Sequence, residues 1–283
     1  MHAIECVIPA RNEEKYLPKT SKALVSQTLR PTRVIVIDDG STDSTNRVAS
    51  SFGFEVLRVE HHRPREKGSP ELAWLFNKGL EQVSPNAEYV MILGADHVLP
   101  RDYIEGIIRK MKQDGVSIAS GAITGEGSVT PRGSGRIANI EAWEKSVGQL
   151  RFPLCYGFET YIVLKMMMNG FKVAVYSEVL SVTQRRTGGA TDFVSYGRGM
   201  KFLGYTPEYL LSRGVITAGR FRDLSKATEM FAGYLSYHPK SDVADYMTRK
   251  QRALLVEYAR SPRKLLGRVM ASFGRTIPPH GSP

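Results

Sequence analysis

Cysteine is scarce in this chain: its 283 residues hold two, Cys6 and Cys155, far apart and the first inside an apolar run. That count argues against a disulfide framework and makes a reducing compartment the expected setting. Acidic residues are also in short supply, 28 against 39 Lys and Arg, for a formal net charge of +11. Such a surplus suits polyanions, a phosphate-bearing substrate or an anionic membrane face. It serves plain solubility equally well and selects no fold. Long hydrophobic runs are missing. Spanning a bilayer takes about 18–20 apolar residues, and the longest candidate, residues 161–175, is broken by Lys165, Asn169, Gly170 and Lys172. The first residues do not resemble a signal peptide, because Glu5, Arg11, Glu13 and Glu14 interrupt the first apolar stretch. The expectation is a soluble, cytoplasmic protein or one peripheral on the cytoplasmic membrane face.

What is present is ordinary in bulk, 42% hydrophobic and 24% charged residues, which excludes a disordered or fibrous chain. The order of segments is more informative. Residues 4–8, 34–37, 55–59, 89–93 and 116–119 are short, β-branched and apolar at consecutive positions, as strands buried on both faces are. Between them residues 13–26, 42–51, 71–83 and 101–112 have helical spacing, with Asp39, Ser41 or Thr42 and Pro70 as start signals. Repeated β-α-β units predict an α/β fold: a mostly parallel, twisted sheet flanked by helices, with right-handed crossovers. Such sheets bind ligands beyond the carboxyl ends of their strands. The segments there, 9–14, 38–43 and 94–100, are polar, acidic or glycine-bearing.

After Gly121 the alternation stops. Residues 122–136 are rich in Gly, Ser and Thr and read as a long loop. Helices are expected over 137–147 and 159–169, a strand over 172–176, and a second flexible stretch over 183–199. From about Gly219 the pattern is helical and basic.

The segment R-V-I-V-I-D-D-G-S-T-D-S-T-N (33–46) sets aspartates at a strand end before a tight turn and a helix start. A carboxylate there can accept the ring N–H of uracil or guanine. Asp39 and Asp43 could instead merely cap the turn and helix; for Asp43 capping is at least as good a reading, whereas for Asp39 two further segments favour the functional one. V-I-P-A-R-N-E-E (7–14), S-Q-T (26–28) and V-I-D-D-G-S-T-D (36–43), with the spacing between them, resemble the opening of inverting family-2 glycosyltransferases with the GT-A fold. That group includes dolichyl-phosphate mannose synthases and many polysaccharide and glycolipid synthases. The resemblance implies a Rossmann-like nucleotide-binding half, and a nucleoside pocket lined by Pro9, Ala10, Arg11, Glu13 and Asp39.

Asn77 and Gly79 resemble the family's N-x-G step, and V-M-I-L-G-A-D-H-V-L-P (90–100) its metal-binding D-x-D segment. A carboxylate at a strand tip can hold Mg²⁺ or Mn²⁺ against diphosphate oxygens. Here Gly94 replaces the first acid, leaving Asp96 as the matching ligand, and His97 reads best as structural. Metal-independent turnover aided by Lys or Arg also fits. G-F-E-T-Y-I-V-L-K-M-M-M-N-G-F-K-V (157–173) resembles the segment carrying the catalytic acid, with Phe158 and Glu159 at its two acidic positions. The resemblance makes Glu159 the base for the acceptor hydroxyl. T-Q-R-R-T-G-G (183–189) and Y-G-R-G (196–199) read as a mobile basic loop. Arg185 and Arg186 are its candidates for clamping the donor diphosphate or an acceptor phosphate, with solvated surface charge as the alternative, and Lys67 in R-P-R-E-K-G-S (63–69) reads the same way.

The resemblance divides the chain into a GT-A domain over 1–215, with a nucleotide-sugar half (1–121) and an acceptor half (122–215), and a basic helical extension over 216–283. Residues 249–275, eight Lys or Arg to one acid and interspersed with apolar residues, can rest on anionic headgroups or pack as a solvated helix. The function implied is transfer of a sugar from a UDP- or GDP-sugar to a glycan, a lipid or a lipid phosphate, with a membrane surface or membrane protein as a further partner. A non-catalytic partner subunit of the same fold is the alternative. A sugar-phosphate nucleotidyltransferase is disfavoured because Pro9 to Glu14 lacks a glycine-rich triphosphate loop. Nucleic-acid binding rests on charge alone and is not expected.

Overall fold

The computed structural model describes residues 3–60, 68–125, 130–185 and 192–261. The chain divides into two compact units, Met1–Thr124 with Ser128–Thr191 and Gly125–Gly127 with Asp192–Pro283. The first contains β1 (Ile4–Ala10), α1 (Leu17–Val25), β2 (Arg33–Asp39), α2 (Thr45–Ser51), β3 (Glu55–Val59), α3 (Pro70–Leu80), β4 (Tyr89–Ile92), β5 (His97–Val98), α4 (Tyr103–Asp114), β6 (Val116–Ile123), β7 (Arg136–Asn139), α5 (Ile140–Val147), α6 (Phe158–Met168) and β8 (Lys172–Thr183). Its strands form one eight-stranded sheet in the order β3-β2-β1-β4-β7-β6-β8-β5.

Strand direction decides which loops share an edge. β1 pairs in parallel with β2 and β4, and β2 with β3, so this half is parallel as expected. β7 is antiparallel to both β4 and β6. Two reversals restore the direction of β4 in β6, and β8 runs parallel to β6. The carboxyl end of β8 therefore emerges on the same edge as those of β1, β2 and β4. β1, β2 and β4 are buried almost without interruption, which explains their continuous apolar runs. Ile4, Ile8, Val36, Met91, Ile104 and Ile107 belong to the main core. The N-x-G step is structural. A Cβ on Gly79 would come within 2.6 Å of both Val7 and Ile37 side chains, so glycine lets α3 lie close on the sheet. Asn77 is buried and pairs both ways with the Phe152 backbone, at 2.9 and 2.8 Å.

Several expected boundaries move for identifiable reasons. The first helix begins at Leu17 rather than 13, because the backbone N–H groups of Asn12, Glu13 and Glu14 are bound by side chains of the second loop. Residues 122–123, expected in a loop, extend β6 through pairing of Ala122 and Ile123 with Leu180 and Ser181. Residues 137–139, expected as helix, belong to β7, and Asn139 then caps α5 by accepting from Ala142 N. β8 continues seven residues beyond the expected end at 176.

The second unit contains α7 (Phe193–Phe202), α8 (Pro207–Phe221), α9 (Ser225–Ser236) and α10 (Ala244–Arg260). Phe193, Met200, Leu210, Met230 and Tyr234 form its core. The flexible stretch expected through 199 is corrected here: Y-G-R-G lies inside α7. A Cβ on Gly197 would overlap the Met230 carbonyl, and one on Gly233 the Val194 carbonyl. These glycines serve close packing of α7 on α9 rather than mobility. The expected boundary at 215/216 falls inside α8, whereas the compact units divide at 191/192. Of the basic stretch 249–275, residues 262–275 lie outside the described residues. Among the described residues, no helix is long and apolar enough to cross a membrane.

Candidate functional site

The loops after β1 and β2 are stitched together. Asn12 takes a left-handed conformation (φ 52°), one that asparagine tolerates better than most residues. Its N–H donates to Ser41 Oγ at 3.0 Å, and its Oδ1 accepts from Thr42 N at 2.9 Å. Glu13 N donates to Thr45 Oγ1 at 2.7 Å, Glu14 N to Asp43 Oδ2 at 3.1 Å, and Ser44 N to Glu14 Oε2 at 2.9 Å. Asp43 thus caps and stitches. Burial pushes its carboxyl up, but hydrogen bonds from Thr45 and Glu14 hold it below the ordinary range. Asp38, buried, closes the Gly40 turn by accepting from Ser41 N at 2.9 Å. Asp39, also buried, is the last residue of β2.

Across this edge Arg185 links three strand ends. Its Nε donates to Asp96 Oδ2 at 2.8 Å and its Nη2 to Glu13 Oε1 at 2.7 Å. Its guanidinium lies 4.6 Å from the centre of the Tyr16 ring. Burial works to lower the Arg185 pKa, yet the bonds to Asp96 and Glu13 keep it above its usual value. For Glu13 the balance tips the other way. Burial raises its carboxyl more than Arg185 lowers it. The two directions agree, because Glu13 is the more deeply buried partner. Glu13 Oε2 is buried without a hydrogen-bond partner, an acceptor left over for a ligand.

The loop after β4 is held by a directional relay. Gly94 N donates to Ser134 Oγ at 2.7 Å, which meets His97 Nδ1 at 2.6 Å. His97 Nε2 meets Ser181 Oγ at 2.7 Å, and Ser181 donates to Ala122 O at 3.1 Å. That polarity assigns the proton to Nε2. His97 is 1% exposed and fastens the loop. The expected Mg²⁺ or Mn²⁺ would find two carboxylates here, Asp96 and Glu13, each with one oxygen already paired to Arg185. Among the described residues, no group of three or more His, Cys, Asp or Glu could hold a metal ion. This donor set does not fit a divalent cation well.

Glu159 stands in the first turn of α6, which Gly157 enters with φ 74°, a conformation cheap only for glycine. Phe158, at the neighbouring acidic position of the resembling motif, is core. It packs edge-on to Phe152 at 4.8 Å between ring centres. The Glu159 carboxylate rests against Gly133, where a Cβ would lie 2.8 Å from Cδ and 3.1 Å from Oε2. Ser134, the next residue, anchors Gly94. Arg136 secures this arrangement and was not singled out from the sequence. It is 3% exposed and donates to three carbonyls: Arg132 at 2.9 Å, Pro131 at 3.1 Å and Glu159 at 3.1 Å. Burial lowers its pKa, and the nearby Glu159 charge partly restores it. A lone arginine beside a glycine-rich stretch offers no signal in the sequence that it is buried.

The structure therefore brings Glu13, Asp96 and Arg185 into direct contact, and sets Asp39 at the end of a neighbouring strand. Pro9 and Ala10 lie in β1, and Arg11 is exposed beyond it. Lys67 and Arg186 lie outside the described residues. Tyr16, Ser134 and Arg136 are additions.

A family model described as "Glycosyl transferase family 2" matches residues 5–174. "Glycosyltransferase GlyA" of Streptococcus pneumoniae serotype 4 is 29% identical over 118 residues, 42% of this chain and 16% of that protein. "4,4'-Diaponeurosporenoate glycosyltransferase" of Staphylococcus aureus is 47% identical over 57 residues, 20% of this chain and 15% of that protein. The chain thus spans a minor share of these relatives' own length. Among solved structures, mannosyltransferase PcManGT from Pyrobaculum calidifontis in complex with GDP-Man and Mn²⁺ has a TM-score of 0.56 at 17% identity, covering 95% of this chain and 85% of that one. S. aureus TarS 1-349 in complex with UDP-GlcNAc has a TM-score of 0.55 at 15% identity, covering 96% and 81%. At these identities the likeness is one of fold.

Proposed function

We propose that this chain, which belongs to glycosyl transferase family 2 and has the GT-A fold, transfers a sugar from a UDP- or GDP-sugar to an acceptor hydroxyl or lipid phosphate with inversion at the anomeric carbon. The observation that carries this reading is the meeting of Glu13, Asp96 and Arg185, from three strand ends, at one edge of the sheet. That edge is where open α/β sheets receive nucleotides. PcManGT and TarS, of the same fold, are described with GDP-Man and UDP-GlcNAc. Asp39 accepts the ring N–H of the base, Pro9, Ala10 and Arg11 line the nucleoside, and the spare Glu13 Oε2 accepts a donor hydroxyl. Arg185 faces the diphosphate, and Lys67 and Arg186 are candidates for the same role.

Glu159 takes the proton of the acceptor hydroxyl as its oxygen bonds to the anomeric carbon. The bond from that carbon to the diphosphate oxygen breaks, and the electron pair leaves with the nucleoside diphosphate. Attack opposite the leaving group inverts the centre. A lipid-phosphate acceptor needs no strong base, and Glu159 then positions it. The acceptor is a glycan, a lipid or a lipid phosphate, and the basic stretch 249–275 would favour an anionic membrane face or membrane-bound partner.

The test is thermal melting with UDP, GDP and their sugar conjugates, followed by assay of nucleoside diphosphate release. A donor at a hundredfold excess over its Kd stabilises the fold by about 2.7 kcal/mol. Melting curves unmoved by every one of these nucleotides would refute the donor site. Release unchanged in Glu159→Gln would remove Glu159 as base. Binding without turnover on any donor would favour the partner-subunit reading.

A further inference from the structure

A nucleoside diphosphate leaving group gathers negative charge, and a cation must meet it. The residues that would place a divalent ion here are depleted: glycine stands at 94, and the Asp96 carboxylate is engaged by a guanidinium. We propose that Arg185 is itself the diphosphate-binding cation, so that donor binding needs no divalent ion and Asp96 acts as a positioning residue for Arg185. This rests on the donor-site reading above and specifies how that site neutralises charge.

Four features support the assignment. Arg185 is built in rather than loosely tethered. The preceding Gln184 is fastened through its N–H to Asp96 O at 2.9 Å and through Nε2 to Tyr16 O at 2.8 Å and Thr20 Oγ1 at 3.3 Å. Its guanidinium is fixed on one edge, Nε to Asp96 and Nη2 to Glu13, and stacked near Tyr16. That use leaves the Nη1–Nη2 edge for two phosphate oxygens, the bidentate geometry in which arginine exceeds a point charge. The side chain is also 45% exposed, so this edge is reachable from solvent. A divalent ion at Asp96 would have to share with Arg185 a carboxylate whose Oδ2 already accepts from its Nε, setting two cations against one anionic group.

Calorimetric titration of UDP and GDP into the full chain, in EDTA and then in Mn²⁺, tests the idea on the wild type without any substitution. One nucleotide is expected to bind in EDTA with a Kd within about threefold of its value in Mn²⁺, less than one charge-assisted hydrogen bond is worth. Arg185→Ala should weaken binding in EDTA by about tenfold or more, and Arg185→Lys by less, since it keeps the charge and loses the fork. Asp96→Ala should weaken binding in EDTA as well, which a residue acting only as a metal ligand would not do. Binding seen only with Mn²⁺, or Arg185→Ala matching the wild type in EDTA, overturns the proposal and leaves the donor site standing. Absence of UDP and GDP binding in both buffers overturns the donor site and this inference together.

Discussion

Gly133→Ala asks whether the Glu159 carboxylate must occupy its observed place. Gly133 carries no left-handed backbone, and the atoms a new Cβ would meet are all in the Glu159 carboxylate. To restore ordinary non-bonded separation that group must retreat by roughly 1 Å. The group displaced is the far end of a half-exposed, flexible side chain, so the stability cost is expected at about 1 kcal/mol. For a chain of this size that is a fall of about 2–4 °C in Tm. A general base displaced by such a distance costs about 100-fold in rate. The assay is release of nucleoside diphosphate from the preferred sugar nucleotide with its hydroxyl acceptor, with melting measured on the same preparations. The decisive control is the double variant: on a Glu159→Gln background Gly133→Ala should cost little more, because the group it moves no longer acts as base. A kcat within about threefold of wild type for Gly133→Ala, with Tm lowered as expected, would refute the placement of Glu159 as base. Equal losses from Gly133→Ala with and without Glu159→Gln would assign the effect to the loop instead.

Glu159→Gln alone should lower kcat with a hydroxyl acceptor by about 10²–10⁴-fold, with nucleotide binding by calorimetry unchanged. Arg136→Ala leaves three backbone carbonyls without their buried cation and should cost about 3–5 kcal/mol in urea unfolding; a loss under about 1 kcal/mol would contradict its role as anchor. Gly197→Ala drives a methyl into the Met230 backbone and should lower stability by about 1–3 kcal/mol, an effect that a truly mobile loop would not show. Burial raises the folded-state pKa of Glu13 above its ordinary 4.5, so the folded protein prefers the protonated form. The resulting penalty is absent below about pH 4.5, develops as pH rises through the raised value, and is full above it. Glu13→Gln should therefore be more stable than wild type at neutral pH, with the advantage fading on acidification; urea melts across pH that show the reverse trend would contradict the buried state of Glu13.

The local chain determined a good deal unaided. Runs of β-branched residues in β1, β2 and β4 declare strands buried on both faces, whereas β3, read the same way, is the half-exposed edge strand. Alternation with helical segments then dictates a parallel arrangement, and hence a carboxyl edge that carries both Asp39 and Asp96. Those inferences need no knowledge of distant partners, because side-chain period and turn chemistry are properties of neighbours in sequence. What only the tertiary structure decided depends on pairing between segments far apart. β7 reads as the start of a helix until it is seen between β4 and β6, where the ladder supplies hydrogen bonds that outweigh local preference. Arg185 meets Asp96 across 89 positions because two antiparallel steps turn β8 back toward the carboxyl edge. Gly133 and Arg136 look like loop residues in a glycine-rich stretch, yet one makes room for the Glu159 carboxylate and the other, buried among carbonyls, holds that room open. Burial and strand direction are collective outcomes of packing, and no window of local sequence contains them.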